Sequence, residues 1–208
     1  ANYWDLLDVS KAYTLCLPVP LETDWPASSV ALYALLPAAA VGLALIAPAR
    51  ALARAGCRAI AWDMPGYGES PMVEPYSFAE LAGALERVID QVAPQRTVLL
   101  GHSMGGMVAL EAFALFPRKI AGLILSCTSP AFGKPDGAWQ QEFLRQRLAP
   151  LDSGQSMADL APNLVRGMVA ADADPAAVQR AIGVMSAVPP AAYRAALHAL
   201  MDFDRRAL

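Results

Sequence analysis

The sequence is poor in cysteine and in charged residues. Cys16, Cys57 and Cys127 lie far apart and form no C-x-x-C pair, which argues against a disulfide framework and against a zinc site. Charged residues make up only 17 % of the chain, and the net charge is -3. Such a balance offers no electrostatic footprint for nucleic acid or for anionic lipid. We therefore predict reduced thiols, no metal site, no nucleic-acid partner and a small molecule as the partner.

The sequence also lacks a basic stretch leading into an apolar segment with a small-residue cleavage site, so a cytoplasmic location is expected. Residues 30–49 carry no charge and reach the length of a candidate transmembrane helix. Pro37, Gly42 and Pro48 interrupt this segment, however, and a buried strand followed by the start of a helix has the same composition. We expect no membrane span, and an anchor at residues 30–49 is the alternative.

Strand-like and helical patterns alternate from residue 49 to residue 126. Apolar runs predict strands at 58–62, 97–100 and 120–126. Helices are predicted at 49–55, closed by Gly56, at 104–116, and from an N-cap at Ser77 with Glu80 in a capping box to Pro94. This alternation predicts the α/β class, with a mostly parallel sheet and crossover helices.

Helical spacing replaces this alternation beyond Pro130, as in Met157, Leu160, Leu164 and Met168. Asp174-Pro175 and Pro189-Pro190 divide this part into separate helices, the last of them at about 191–201. We predict an α/β core at 1–129, a helical cap at 130–202, and a return to the core at 203–208.

One motif predicts a catalytic residue. Gly101, Ser103 and Gly105 match G-x-S-x-G between a predicted strand and a predicted helix, which is the context of a nucleophile elbow. A serine on such a sharp turn is strained, and the residues two before and two after it must be small so that the backbones can pass. The alternative is a glycine-rich turn with a capping serine.

A second motif, Asp63-Met64-Pro65-Gly66-Tyr67-Gly68-Glu69-Ser70, follows the preceding predicted strand. With both D-x-P-G-x-G-x-S and G-H-S-M-G-G, the chain resembles the α/β-hydrolase superfamily, and the cap is similar to that of enol-lactonases and related carboxylic-ester hydrolases. The resemblance implies a cofactor-free hydrolase of a small carboxylic ester or lactone. It makes Ser103 the nucleophile and the Met104 N–H an oxyanion-hole donor. Structural roles are expected for Gly101, His102, Gly105 and Gly106. Asp63 is expected to cap the Pro65-Gly66 turn by accepting hydrogen bonds from backbone amides, and the triad acid is the alternative role.

The chain departs from this family in two places. The usual His-Gly pair is absent near Leu36-Pro37, so either the oxyanion hole is built differently or the N-terminal sequence is altered, for example by a shifted reading frame. Family members place the catalytic acid and histidine after further strands, whereas the sequence stops at Leu208. We therefore expect a C-terminally truncated chain. The alternative function is a non-catalytic fragment or pseudo-hydrolase binding module, and an open sheet edge would favour a homo-oligomer.

Other side chains are weaker candidates. His198 lies on the last predicted helix and is a candidate base, although a lone helical histidine is more often an ordinary packed or surface residue. Cys127, at a strand end without an evident histidine partner, is predicted to be a buried thiol. A group of cap residues is predicted either to line an apolar acyl pocket or simply to pack together. These residues are Trp139, Phe143, Met157 and Met168.

Overall fold

A computed structural model describes residues 30–35, 58–68, 70–92, 96–133 and 137–208. Within these residues, four parallel strands form one sheet in the order β2-β1-β3-β4. The strands are β1 (Val30–Leu35), β2 (Arg58–Ala61), β3 (Arg96–His102) and β4 (Gly122–Ser126). The sheet confirms the predicted α/β class. The first strand also shows that the charge-free segment begins as a strand.

Two helices follow β2 and β3 and pack on each other. They are α1 (Phe78–Val92) and α2 (Met104–Leu115). The Oγ atom of Ser77 accepts a hydrogen bond from the Glu80 N–H at 3.2 Å, as an N-cap does. Helix α2 is apolar on nearly all sides because it is buried against the sheet and α1. Both helices contribute buried side chains to the hydrophobic core, among them Leu81 and Leu85 of α1 and Met107 and Val108 of α2.

Four further helices occupy the region predicted as the cap, and prolines or capping residues begin most of them. They are α3 (Ala138–Asp152), α4 (Met157–Arg166), α5 (Pro175–Ser186) and α6 (Pro190–Met201). Ser156 and Asp159 form a reciprocal capping box at the start of α4. At the start of α5, the Asp174 carboxylate accepts hydrogen bonds from the backbone amides of Ala176 and Ala177. Helix α4 packs on α5, and α3 packs on α6.

The chain segments that enter and leave the four helices lie side by side. Ala131 and Asp204 form an antiparallel bridge, the Phe132 N–H donates to the Phe203 carbonyl at 3.1 Å, and the Arg205 N–H donates to the Pro130 carbonyl at 2.6 Å. We call residues 130–132 and 203–205 the neck.

The neck is tied to the core. The Arg205 Nη2 atom donates to Oε1 of the buried Glu111 on α2 at 2.5 Å. The ring centroids of Phe203 and Phe78, at the start of α1, are 4.5 Å apart. These contacts join the four helices to α2, whose first turn belongs to the G-x-S-x-G motif, and to α1.

Some predictions lie outside the described residues. They are the helix at 49–55, its C-cap at Gly56, the site near Leu36-Pro37 and the rest of the segment at 36–49. Among the helices in the described ranges, none is long and apolar enough to cross a membrane.

Candidate active site

The carboxyl ends of the parallel strands meet at one edge of the sheet. The strand register pairs Leu35 with Gly101 and His102 with Ser126. Three segments of chain leave the sheet at this edge: the turn at 62–68, Ser103 and Cys127. In open α/β sheets, ligands bind at this edge, so the candidate site lies here.

Ser103 lies at the junction of β3 and α2 with φ 51° and ψ -125°. A non-glycine residue at positive φ is strained, and such residues cluster at functional sites. The Ser103 N–H donates to the Ser126 carbonyl at 2.9 Å, and its carbonyl accepts from the Gly106 N–H at 2.9 Å. The structure thus has the sharp strand-to-helix turn that the motif predicts.

The glycines around Ser103 permit close approach of the backbones. A Cβ atom on Gly101 would lie 2.5 Å from the Gly106 Cα atom and 2.6 Å from the Gly105 carbonyl oxygen. A Cβ atom on Gly106 would lie 2.5 Å from Cγ2 of Thr128. Real Cβ contacts are not this short, so at both positions only glycine fits without a shift of its neighbours.

His102 is half-buried beside the end of β4. Its Nδ1 atom lies 3.2 Å from the Ser126 Oγ atom, and burial lowers the pKa of the imidazole. This environment favours the neutral ring at pH 7. The contact suits the structural role predicted for His102, which stays a prediction.

The turn after β2 is held largely by its own main chain. The Tyr67 N–H donates to the Met64 carbonyl at 2.9 Å, and the Gly66 N–H donates to the Ser70 carbonyl at 3.1 Å. The Asp63 carbonyl accepts from Ser70 Oγ at 2.7 Å. The Asp63 carboxylate lies against Gly68, where a Cβ atom would be 2.3 Å from Oδ2. The amides of Gly66 and Tyr67 thus donate to carbonyl oxygens and not to the Asp63 carboxylate. A capping role of this carboxylate stays a prediction.

Two tyrosines that the sequence analysis missed stiffen this turn. The Tyr76 hydroxyl donates to the Pro65 carbonyl at 3.0 Å, and the Tyr67 side chain is buried within the turn. Burial raises the pKa of both phenols, so they stay protonated. A Cβ atom on Gly66 would lie 3.0 Å from the Ala192 Cβ atom, so the turn packs against α6. No motif marks Tyr76, and Tyr67 occupies a variable position of its motif.

Cys127 is exposed, which corrects the prediction of a buried thiol. Its φ of 48° is in the left-handed region, so the chain leaves the strand's alternation of buried and exposed faces at this residue. The next residue, Thr128, packs against Gly106, and its hydroxyl is buried without a hydrogen-bond partner among the described residues.

The predicted cap residues separate into two environments. The Trp139 ring stacks on that of Phe143 with centroids 5.3 Å apart, and both lie near Phe132. Met157 is buried in the core cluster, so these side chains pack together. Met168 is instead 48 % exposed. The helical spacing predicted at this residue is wrong because α4 ends at Arg166, before Gly167.

His198 lies in the last turn of α6 and is exposed. Its role as a candidate base stays a prediction. Within the described ranges, no group of three or more His, Cys, Asp or Glu residues is arranged to hold a metal ion.

Comparison with known proteins places these features in a family. The family described as alpha/beta hydrolase fold matches residues 46–173, more than half of the chain. A pimeloyl-[acyl-carrier protein] methyl ester esterase of Edwardsiella ictaluri is 46 % identical over 70 residues, which are 34 % of this chain and 26 % of that protein. The chain's match thus spans about a quarter of that esterase's length.

Solved structures show the same fold. A hydrolase from Pseudomonas aeruginosa is 25 % identical, with a TM-score of 0.73 over 88 % of this chain and 68 % of that one. An esterase from Exiguobacterium antarcticum is 22 % identical, with a TM-score of 0.74 over 86 % of this chain and 69 % of that one. These likenesses confirm the resemblance that the two motifs predicted. The chain belongs to the alpha/beta hydrolase fold family.

Proposed function

We propose that this chain carries the nucleophile of a serine hydrolase that cleaves a small carboxylic ester or lactone through an acyl-enzyme on Ser103. One observation carries the proposal: Ser103 is held at φ 51° on the turn between β3 and α2. Gly101 and Gly106 allow this turn only because they lack side chains. An ordinary capping serine has no need of a positive φ, since N-cap residues normally adopt extended backbone.

The neighbouring helix supplies the electrostatics for this reaction. Met104 is the first residue of α2, where a main-chain amide has no intrahelical partner and the helix dipole is positive. In the proposed reaction, the Ser103 hydroxyl adds to the ester carbonyl and gives its proton to a base. The Met104 N–H stabilises the developing oxyanion. Loss of the alcohol leaves an acyl group on Ser103, and water then releases the acid.

The base in this proposal is a histidine, and the two histidines of the chain have different environments. The Nδ1 atom of His102 contacts Ser126 Oγ, and we assign it to the support of the turn. His198 is exposed on α6 and is the candidate base to be tested by substitution.

The relatives suggest the substrate class. Because the Edwardsiella relative is named for a methyl ester, methyl esters are the first substrates to test, followed by lactones. We propose that residues 130–202, including α3 to α6, act as a cap over the site and that the protein works in the cytoplasm. Association of chains through a sheet edge stays a prediction.

Covalent labelling tests the proposal. A fluorophosphonate probe should label the purified chain at Ser103, as read by intact mass and peptide mapping. Ser103→Ala should abolish the labelling, whereas Ser153→Ala, at the exposed C-cap residue after α3, should leave it unchanged. Loss of labelling in His198→Gln would identify that residue as the base. A folded chain that takes no label would instead support the non-catalytic binding module.

A further inference from the structure

Ser126, the last residue of β4, contacts both residues that lead into α2. It is paired in register with His102 across the two parallel strands. Its carbonyl accepts the Ser103 N–H at 2.9 Å, and its Oγ atom lies 3.2 Å from the His102 Nδ1 atom. A single residue on the neighbouring strand therefore touches the main chain of the strained serine and the side chain of the residue before it.

The G-x-S-x-G motif by itself fixes neither the backbone conformation of Ser103 nor the tautomer of His102, and each contact of Ser126 acts on one of these. A residue in a sparsely populated backbone region persists there only when its surroundings over-determine it. A neutral imidazole has one N–H and one acceptor nitrogen, and the partner of one nitrogen decides which tautomer is present. The Ser126 carbonyl helps to hold the Ser103 backbone, and the Ser126 hydroxyl is the partner of the His102 Nδ1 atom.

We propose that Ser126 is a positioning residue of the elbow: its hydroxyl holds His102 in one tautomer and orientation, and its carbonyl anchors the Ser103 amide. The hydroxyl lies between the His102 ring and the Cys127 Sγ atom, which is 3.8 Å from Oγ. The hydroxyl donates its hydrogen to Sγ, so its oxygen accepts from the His102 Nδ1–H, which assigns the Nδ1–H tautomer to the ring. The consequence for Ser103 reactivity rests on the proposed function, whereas the state of the ring does not.

Nitrogen NMR reads the ring directly. The chain has two histidines, so His198→Gln assigns the ring signals of His102 without ambiguity. We expect one tautomer in the unmodified protein, and a changed tautomer ratio in Ser126→Ala. Ser126→Thr keeps a hydroxyl and should restore the parent signals. Ser129→Ala is the matched control, because Ser129 Oγ donates to the Ala131 carbonyl at the same edge of the sheet.

Fluorophosphonate labelling supplies the second readout. Ser126→Ala should slow the labelling of Ser103 by about two- to tenfold, the effect expected for one lost hydrogen bond, and Ser126→Thr should recover the rate. Rapid exchange between both tautomers in the unmodified protein would overturn the proposal, even if Ser126→Ala did not fold. Unchanged ring signals in folded Ser126→Ala would also overturn it. An unmodified chain that takes no label would overturn the proposed function, and the ring signals would then test only the contact between the Ser126 hydroxyl and His102.

Discussion

Substitution of Gly101 by alanine tests the close approach on which the elbow depends. The added Cβ atom would lie 2.5 Å from the Gly106 Cα atom, 2.7 Å from its nitrogen and 2.6 Å from the Gly105 carbonyl oxygen. All three are main-chain atoms in the first turn of α2, so no side-chain rotation relieves the contact. Gly101 does not have a positive φ, so the cost of the alanine comes from this contact alone.

The size of the effect follows from these distances. Ordinary carbon contacts are about 3.5–4.0 Å, so the first turn of α2 must move by about 1 Å away from β3. Overpacking of a core costs about 1–3 kcal/mol. We expect a value of about 3 kcal/mol, at the upper end of that range, because rigid backbone is displaced. For a domain of this size, this loss lowers Tm by roughly 6–12 °C.

The assay compares urea unfolding and thermal melting of Gly101→Ala with those of Gly183→Ala. Gly183 lies inside α5, and a Cβ atom there meets nothing within 4 Å. That substitution should therefore raise the free energy of unfolding by about 0.5–1 kcal/mol. Labelling of Ser103 should fall in Gly101→Ala and stay unchanged in Gly183→Ala. Equal stability of Gly101→Ala and the parent would refute the close approach described here.

Two further substitutions test the neck and the histidine beside the elbow. Arg205→Met leaves the buried Glu111 carboxylate without its ion-pair partner, so the free energy of unfolding should fall by about 2–3 kcal/mol. Combining it with Glu111→Met should recover most of that loss in urea titrations, and a double variant as unstable as the single one would contradict this account. Burial lowers the pKa of His102, so the folded state resists its protonation, and stability should fall as the pH drops below about 6.5. His102→Gln should remove this part of the slope between pH 7.5 and 5.5, with His198→Gln as control, and an unchanged slope in His102→Gln would show that other groups cause it.

The sequence alone was sufficient to predict those turns and helix starts that depend on residues close together in the chain. Gly101, Ser103 and Gly105 predict the turn between β3 and α2 because close backbone approach and positive φ depend on residues adjacent in the chain. The helix start at Ser77 follows from capping in the same way. The spacing of Met157, Leu160 and Leu164 predicts α4, but the same spacing fails at Met168, where Gly167 ends the helix.

Only the tertiary structure decided which distant residues support the elbow. Ser126 reaches His102, and Thr128 reaches Gly106, because β4 is paired with β3 in one particular register. Arg205 reaches Glu111 across 94 positions of the chain. Apolar periodicity shows that a strand exists, but neither the neighbour of that strand nor its register follows from the period of its own residues. The local turn was therefore predictable from the sequence, whereas its anchors were visible only after the strands were paired.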